Sequence, residues 1–363
     1  MISMAYHRFI DVRLGAREDV EISASKDNFS IRKAPAFAGT KGRQYVNQKV
    51  LRFLGSSSKT EISENFHVRC NIVKDNTSET NTAHIVIQNI NPEFVRKYEE
   101  STKTSIENLY CLDKPYRDGI KQVIVYLGYI YGVQGKVFHG DVRSIRLRRL
   151  YDSYHMEIIA EEGMEAMRRG LINKCYASGT TARTVLNDAF GVLSTFGIDT
   201  TPVMNYLNYK LENGERISDL NLDDHFEVSG NPYSVSDTVW GFLTRYLKSY
   251  GFNIYISNNV LIISPTAVPR LDKTSADSIT QNSPFISVNS GLFNYPIVED
   301  NNIVEFESLI NPYTDLGHFC AVQLNENVES VRNILVSNVT FNADNYEGDF
   351  KMSVKGYLGD QKV

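Results

Sequence analysis

Residues 122–163, QVIVYLGYIYGVQGKVFHGDVRSIRLRRLYDSYHMEIIAEEG, decide the fold class. Runs of β-branched and aromatic residues stop at Gly128, Gly132, Gly135 and Gly140, the punctuation of hairpin turns or barrel bends. Upstream, FHVRCNIV alternates Phe66, Val68, Cys70 and Ile72 with His67, Arg69 and Asn71, the period of a half-buried strand. A further strand runs through Ala83, Ile85 and Ile87, after which Asn91-Pro92 opens a short helix carrying Phe94, Val95 and Tyr98. Asn91 suits the N-cap, and Pro92 suits the first helical position, where no N–H is needed. Little helical period precedes Glu161, so residues 1–160 read as one mainly β domain. Within it, 12–65, with GTKGRQ and GSSSKT, reads as a loop-rich insertion.

Residues 161–264 change character to α/β. Val185, Leu186, Ala189, Val192, Leu193 and Phe196 recur at helical spacing, with Thr180 or Thr181 as cap and Gly197 as stop. A second amphipathic helix carries Val239, Trp240, Leu243, Leu247 and Tyr250, with Ser236 as cap and Gly251 as stop. FNIYI, a turn at Ser257-Asn258-Asn259, and VLIIS then predict a hairpin. The helices match at a constant offset (Thr184 with Thr238, Gly197 with Gly251), as two ordinary amphipathic helices or a duplicated helix-plus-strand unit would. In 265–363 the polar linker DKTSADSITQNSPF leads into another β-rich region. There Ile334 and Val336 alternate, and one extra residue before Val339 and Phe341 marks a bulge. A turn near Gly348 and a closing strand through Met352 and Val354 suit a small barrel. The fold class expected is mainly β with an α+β middle.

Composition bounds the function. With 363 residues, two or three domains are expected, and 42% hydrophobic against 22% charged residues excludes wholesale disorder. Lys+Arg 38 against Asp+Glu 43 leaves a net charge of -5, which argues against a general polyanion binder. Cys70, Cys111, Cys175 and Cys320 are too scattered for a disulfide framework. MISMAYHRFIDVRLG has no apolar signal core, and no stretch approaches a membrane span, so folding in a reducing cytosol is expected.

No catalytic set emerges. His67 with Cys70, and His318 with Cys320, are metal-like pairs, but no second pair completes four ligands, so a small core cysteine is the expected reading and no metal is assigned. HGDVR around Asp141 superficially resembles a kinase catalytic loop without the Gly-rich loop or DFG, and reads as a hairpin corner. Glu161, Glu162 and Glu165 read as solvated surface glutamates rather than a hydrolytic carboxylate pair. One charge feature remains, since Arg143, Arg146, Arg148 and Arg149 crowd RSIRLRRL. As a strand it places Arg146 and Arg148 on one face, either a charge-protected solvated edge or a basic strip that meets an acidic strip on a neighbouring subunit.

The order of these pieces resembles the baseplate hub proteins of contractile-tailed bacteriophages and related contractile injection systems. YHRFIDVRLG is similar to the family's first strand, and FHVRCNIV through NINPEFVRKY to its paired strands and short helix. The family's glycine-rich hairpin is carried by Gly128, Tyr129, Val137, Phe138, Gly140 and Val142. The most specific skeleton is carried by Ser290, Gly291, Leu292, Pro296, Leu309, Asn311, Pro312 and Gly317. The segment Asp11 to Glu64 is longer and more polar than the family pattern, and the closing turn, with Gly348-Asp349 late, matches loosely.

The resemblance implies two tube-like β-barrel domains flanking the α/β domain, in a homotrimer that caps the tail tube and adapts its six-fold symmetry to a three-fold spike. It implies no catalysis and no cofactor. Implied partners are further copies of the chain, the tail tube protein, the central spike protein, wedge and other baseplate proteins, and the tape measure protein. DNA would pass through the channel without specific binding, with no membrane insertion, in a virion tail baseplate assembled in the host cytoplasm. The alternative is a β-barrel receptor- or carbohydrate-binding tail protein.

Overall fold

The computed structural model describes residues 7–14, 29–32, 48–56, 66–77, 79–92, 122–208, 222–223, 233–265, 284–299, 302–326 and 330–358. The chain divides into two compact units, one of Met1–Asp75, Asn81–Glu162 and Arg270–Val363, the other of Asn76–Thr80 and Gly163–Pro269.

The first unit opens with β1 (Arg8–Leu14), β2 (Phe29–Arg32), β3 (Gln48–Ser56), β4 (His67–Asp75), β5 (Thr82–Ile90), β6 (Gln122–Tyr129), β7 (Gln134–Leu150) and β8 (Ser153–Glu161). The second unit contains α1 (Met164–Arg169), β9 (Leu171–Tyr176), α2 (Ala182–Thr195), α3 (Thr201–Asn208), β10 (Tyr233–Thr238), α4 (Val239–Ser249), β11 (Phe252–Ser257) and β12 (Val260–Pro265). The chain then returns to the first unit with β13 (Phe285–Ile286), β14 (Ile297–Glu299), β15 (Ile303–Leu309), β16 (Phe319–Gln323), β17 (Val331–Asp344) and β18 (Phe350–Leu358).

The structure is mainly β, as expected. Among the described residues, the first unit is one 14-stranded sheet in the order β14-β15-β18-β17-β4-β5-β8-β7-β6-β1-β3-β2, with β16 on β17 and β13 on β16. All pairs are antiparallel except β13 with β16. This open path corrects the expectation of closed barrels. The first and last thirds meet within the same sheet, where Asn338–Asp344 of β17 lie opposite Asp75–Arg69 of β4. Alternation explains the buried face. Val68, Cys70 and Ile72 of β4, Ile85 and Ile87 of β5, and Ile158 and Ala160 of β8 are all buried. The register of β17 on β18 shifts between Val336 and Asn338, where the sequence places its extra residue. Within the 12–65 stretch, β3 pairs along β1 and β2 along β3. The helix expected through Phe94, Val95 and Tyr98 lies outside the described residues, as does Cys111.

In the second unit, β9 pairs with β10 and β11 with β12. Helix α2 buries Val185, Leu186, Ala189 and Leu193, and α4 buries Val239, Phe242, Leu243 and Leu247, all in one core with Ile254, Ile256 and Leu261. The Asn258-Asn259 turn has φ of 54° and 64°, the left-handed pair that a two-residue hairpin loop requires. Two expectations are corrected. The cap of α4 is Thr238, whose hydroxyl accepts the Gly241 N–H at 3.1 Å, while Ser236 lies within β10. Tyr250 is exposed, and Phe242 fills the stripe instead. Among the described residues, no helix is long and apolar enough to cross a membrane.

Trp240, the chain's single tryptophan, sits on α4 and reports on this core. Removing the cap with Thr238→Ala is expected to lower stability by about 1 kcal/mol. Urea unfolding followed by Trp240 fluorescence checks this, and an unmoved midpoint would refute the capping role.

Candidate functional site

The motif residues lie in the first unit, and several converge. Gly128 ends the first arm of the β6–β7 hairpin with φ 149°, and a Cβ there would come within 2.1 Å of the Val133 carbonyl oxygen. Only glycine fits so tight a return. The next residue, Tyr129, points its buried hydroxyl at the loop after β15, where it accepts the Ile310 N–H at 3.2 Å. Its ring meets Phe350 edge-on at 5.4 Å. Across the same contact, a Cβ on Gly135 would lie 2.9 Å from the Pro312 Cβ. The hairpin glycines and the Asn311-Pro312 loop, far apart in sequence, are thus one packed junction.

Asn311 shapes that loop, its side-chain oxygen accepting the Tyr313 N–H at 3.1 Å. The Gly317 N–H donates to the Val336 carbonyl at 3.0 Å, returning the chain to β17. Phe138 is fully buried, and Gly140 leaves room for its ring. Gly291, Leu292 and Pro296 form a separate group beside β14 and β15. Leu309 donates its N–H to the Gly291 carbonyl at 2.8 Å, Leu292 is buried, and Pro296 immediately precedes β14.

A buried charge cluster underlies the junction. Lys74 is 0% exposed, and its Nζ donates to Asp315 Oδ1 at 3.0 Å and Oδ2 at 3.2 Å. It also lies 3.6 Å from Oε1 of Glu162, likewise 0% exposed. Asn81 Nδ2 donates to Glu162 Oε2 at 2.8 Å, and the His139 N–H donates to Oε1 at 3.2 Å. Glu161 is also buried, accepting from Arg143 Nη1 at 2.6 Å. The expectation of solvated glutamates at 161 and 162 is therefore corrected; Glu165 alone of the three is partly exposed, pairing with Arg169 at 3.5 Å.

A second polar cluster fastens the β17–β18 turn to β4. Asp344 accepts from Arg69 Nε at 2.7 Å and contacts His67 Nε2 at 2.9 Å, and it also accepts the Tyr346 N–H at 2.9 Å. Asn345 completes the clasp by accepting the Val68 N–H at 2.7 Å and donating to the Phe66 carbonyl at 2.9 Å. Burial alone would raise the Asp344 carboxyl, but the Tyr346 amide, His67 and Arg69 outweigh it and hold it below its ordinary value.

The arginine strip is exposed at Arg146 and Arg148, as alternation requires. Arg146 registers opposite Glu157 of β8, and Arg148 opposite His155. His84 bonds Glu157 at 2.7 Å and, with Arg146 and Arg148, keeps that carboxyl low. At the other end of the sheet, Lys351 bonds Glu307 at 3.0 Å, and Lys355 bonds Glu305 and reaches Glu299 at 3.8 Å.

Cys70 and Cys320 are buried, and burial pushes the Cys320 thiol up to about 12. No cluster of three or more metal-ligating side chains occurs among the described residues. His139 and Asp141 lie in the β6–β7 pairing, opposite Ile124 and Gln122.

No protein-family model matches the sequence, and no curated protein matches it. The fold matches a chain of the Francisella PdpA–VgrG complex in its lidded form, with a TM-score of 0.51 at 7% identity, covering 98% of this chain and 53% of that one. The 43 kDa tail protein of prophage MuSo2 from Shewanella oneidensis aligns at 8% identity and TM-score 0.44, over 81% of this chain and 98% of its own. An E. coli component of the type VI secretion system, itself similar to the T4 tail proteins gp27 and gp5, aligns at 11% identity and TM-score 0.44, over 82% and 75% of the two chains. The Francisella match establishes a shared fold.

Two tests follow from the clusters. Lys74→Met leaves Glu162 and Asp315 facing each other unneutralised and is expected to cost ~3–5 kcal/mol, with part recovered on adding Glu162→Gln and Asp315→Asn. Chemical denaturation measures both, and an unchanged midpoint for Lys74→Met would refute the coupling. A carboxyl held low in the native state contributes fully above its unfolded value, about 3.9, and loses that contribution as pH falls through the native value. Asp344→Asn is therefore expected to be less stable than the parent near neutrality, with the gap closing as the solution is acidified. A gap independent of pH would contradict the assignment.

Proposed function

We propose that the chain is a structural protein of a phage-type tail or related contractile apparatus, specifically a homotrimeric baseplate hub. It caps the tail tube and adapts six-fold tube symmetry to a three-fold spike. The observation that carries this reading is the fold likeness to a chain of the PdpA–VgrG complex along nearly the whole length of this chain. The packed junction of Tyr129 and Gly135 with the Ile310–Pro312 loop supports it, because two stretches of the motif order that resembles the hub family, far apart in sequence, pack together there.

On this reading, residues 1–160 and 265–363 supply the β-rich part of the hub and residues 161–264 an α/β domain. The role is structural rather than catalytic and takes no cofactor. The open sheet suits it: edge strands that a monomer leaves bare become pairing surfaces in a closed assembly. The partners are the chain itself, the tube, spike and wedge components and the tape measure protein, in a tail whose DNA passes without specific binding.

Co-expression with a tail tube protein and a spike protein of the same source tests the hub assignment. A three-fold ring co-purifying with both, seen by negative-stain electron microscopy, is the expected result. Protein that remains monomeric and joins neither would overturn it.

A further inference from the structure

We propose that Lys74 and Asp315 condense to form an intramolecular isopeptide bond, with Glu162 carrying the protons. The chain modifies itself once and turns over no substrate, so the bond goes beyond the tail assignment and stands independently of it.

The groups that amide formation needs meet in one place. An amine must reach a carboxyl carbon, a base must take a proton from the nitrogen, and a donor must steady the oxygen that gains charge. Lys74 Nζ is the amine, 3.0 Å from Asp315 Oδ1 and 3.2 Å from Oδ2. With both oxygens so close, the Cγ between them lies no more than about 3.5 Å from Nζ, a near-attack separation. Glu162 is the base, with Oε1 3.6 Å from Nζ. The Asn81 amide at Oε2 and the His139 N–H at Oε1 fix its orientation. The Leu316 N–H donates to Asp315 Oδ1 at 2.8 Å and so steadies that oxygen.

Burial favours the reaction. Lys74 and Glu162 are 0% exposed, as are Leu316 and Val339, the residue opposite Lys74 on β17. Ions held in such surroundings are costly even when paired. A lysine and two carboxylates place three ions together, and condensation removes two of them. Low polarity also disfavours charged forms, and the neutral amine and carboxylic acid are the forms that react. Asp315 keeps 13% exposure, which gives the released water a way out.

Glu162 takes one proton from the ammonium and delivers it to Oδ2, leaving a neutral amine beside a carboxylic acid. The nitrogen lone pair then forms the N–C bond at Cγ, and Oδ1, held by the Leu316 N–H, takes the charge. Glu162 takes a second proton from nitrogen and passes it to Oδ2, which leaves as water with the electron pair of the broken C–O bond. Nothing is oxidised or reduced, and Glu162 ends as it began. The product ties β4 to the loop after β15 across 241 positions of sequence. The second unit lies wholly between the two linked residues, so pulling on the chain ends could not extend it.

Intact-mass spectrometry of the purified full chain tests the bond. The mass is expected to fall short of the sequence by one water, and proteolysis to yield a branched peptide joining Lys74 to Asp315. Asp315→Ala and Glu162→Gln are expected to keep the full mass of their sequences, with circular dichroism checking that they fold. Asp315→Asn should lose ammonia instead of water and reach the same mass as the linked parent. A parent of full mass, a water lost at any other site, or an Asp315→Ala chain that still loses water would each overturn the proposal. Glu162→Gln that links as fully as the parent would overturn the role of Glu162. Should Asp315→Ala fail to fold, the mass and the branched peptide of the parent decide alone.

Discussion

A lysine ammonium on the buried side of a sheet must be neutralised within the fold, and the first unit is organised around that requirement. Lys74 follows Ile72 on the inward face of β4, where its chain neighbour across the sheet is Val339. An isolated charge there would cost several kcal/mol. Its partners arrive from the end of β8 and from the loop after β15, so the cluster is met only when three remote parts of the chain are in place together. The same loop presents Pro312 to Gly135 and Ile310 to Tyr129. Electrostatic neutrality and close packing therefore impose the same register on the hairpin and the loop.

The charged groups elsewhere in this unit do comparable work. Asp344 and Asn345 tie the β17–β18 turn to β4, and lysine–glutamate pairs lace β18 to β15. Side chains that might suggest chemistry in isolation, such as Glu162, Asp344 and His67, are engaged in joining strands.

Much of this was legible in the sequence wherever one face of a strand is buried. Period-two alternation located β4, β5, β17 and β18, and a single break in parity located the bulge near Val336. Parity also held an unread signal. Lys74 occupies the next inward position after Val68, Cys70 and Ile72, and Glu162 the next after Ile158 and Ala160, so both charges were addressed to the core. Asp315 sits in a loop, where no period points anywhere. Strand neighbours were illegible for a different reason: nothing local in β17 names β4 as its partner. Closed barrels were expected because alternation reports a buried face and is silent about whether the sheet's ends meet. Ser236 and Thr238 are both good caps by chemistry, and the length of β10, which runs on to Thr238, sets the cap at its last residue.

The union of β17 with β4 also governs how the molecule is made. These strands are separated by the whole second unit, so the central ladder of the sheet cannot form until that unit and β17 have left the ribosome. Contacts of such long sequence separation slow folding and leave β4 with a bare edge during synthesis. The interposed unit eases this. Once folded, it replaces a long connection with a compact body and reduces the entropy lost on closure. Order of synthesis thus bears on assembly, because the ladder that joins β17 to β4 has to wait for the later strand.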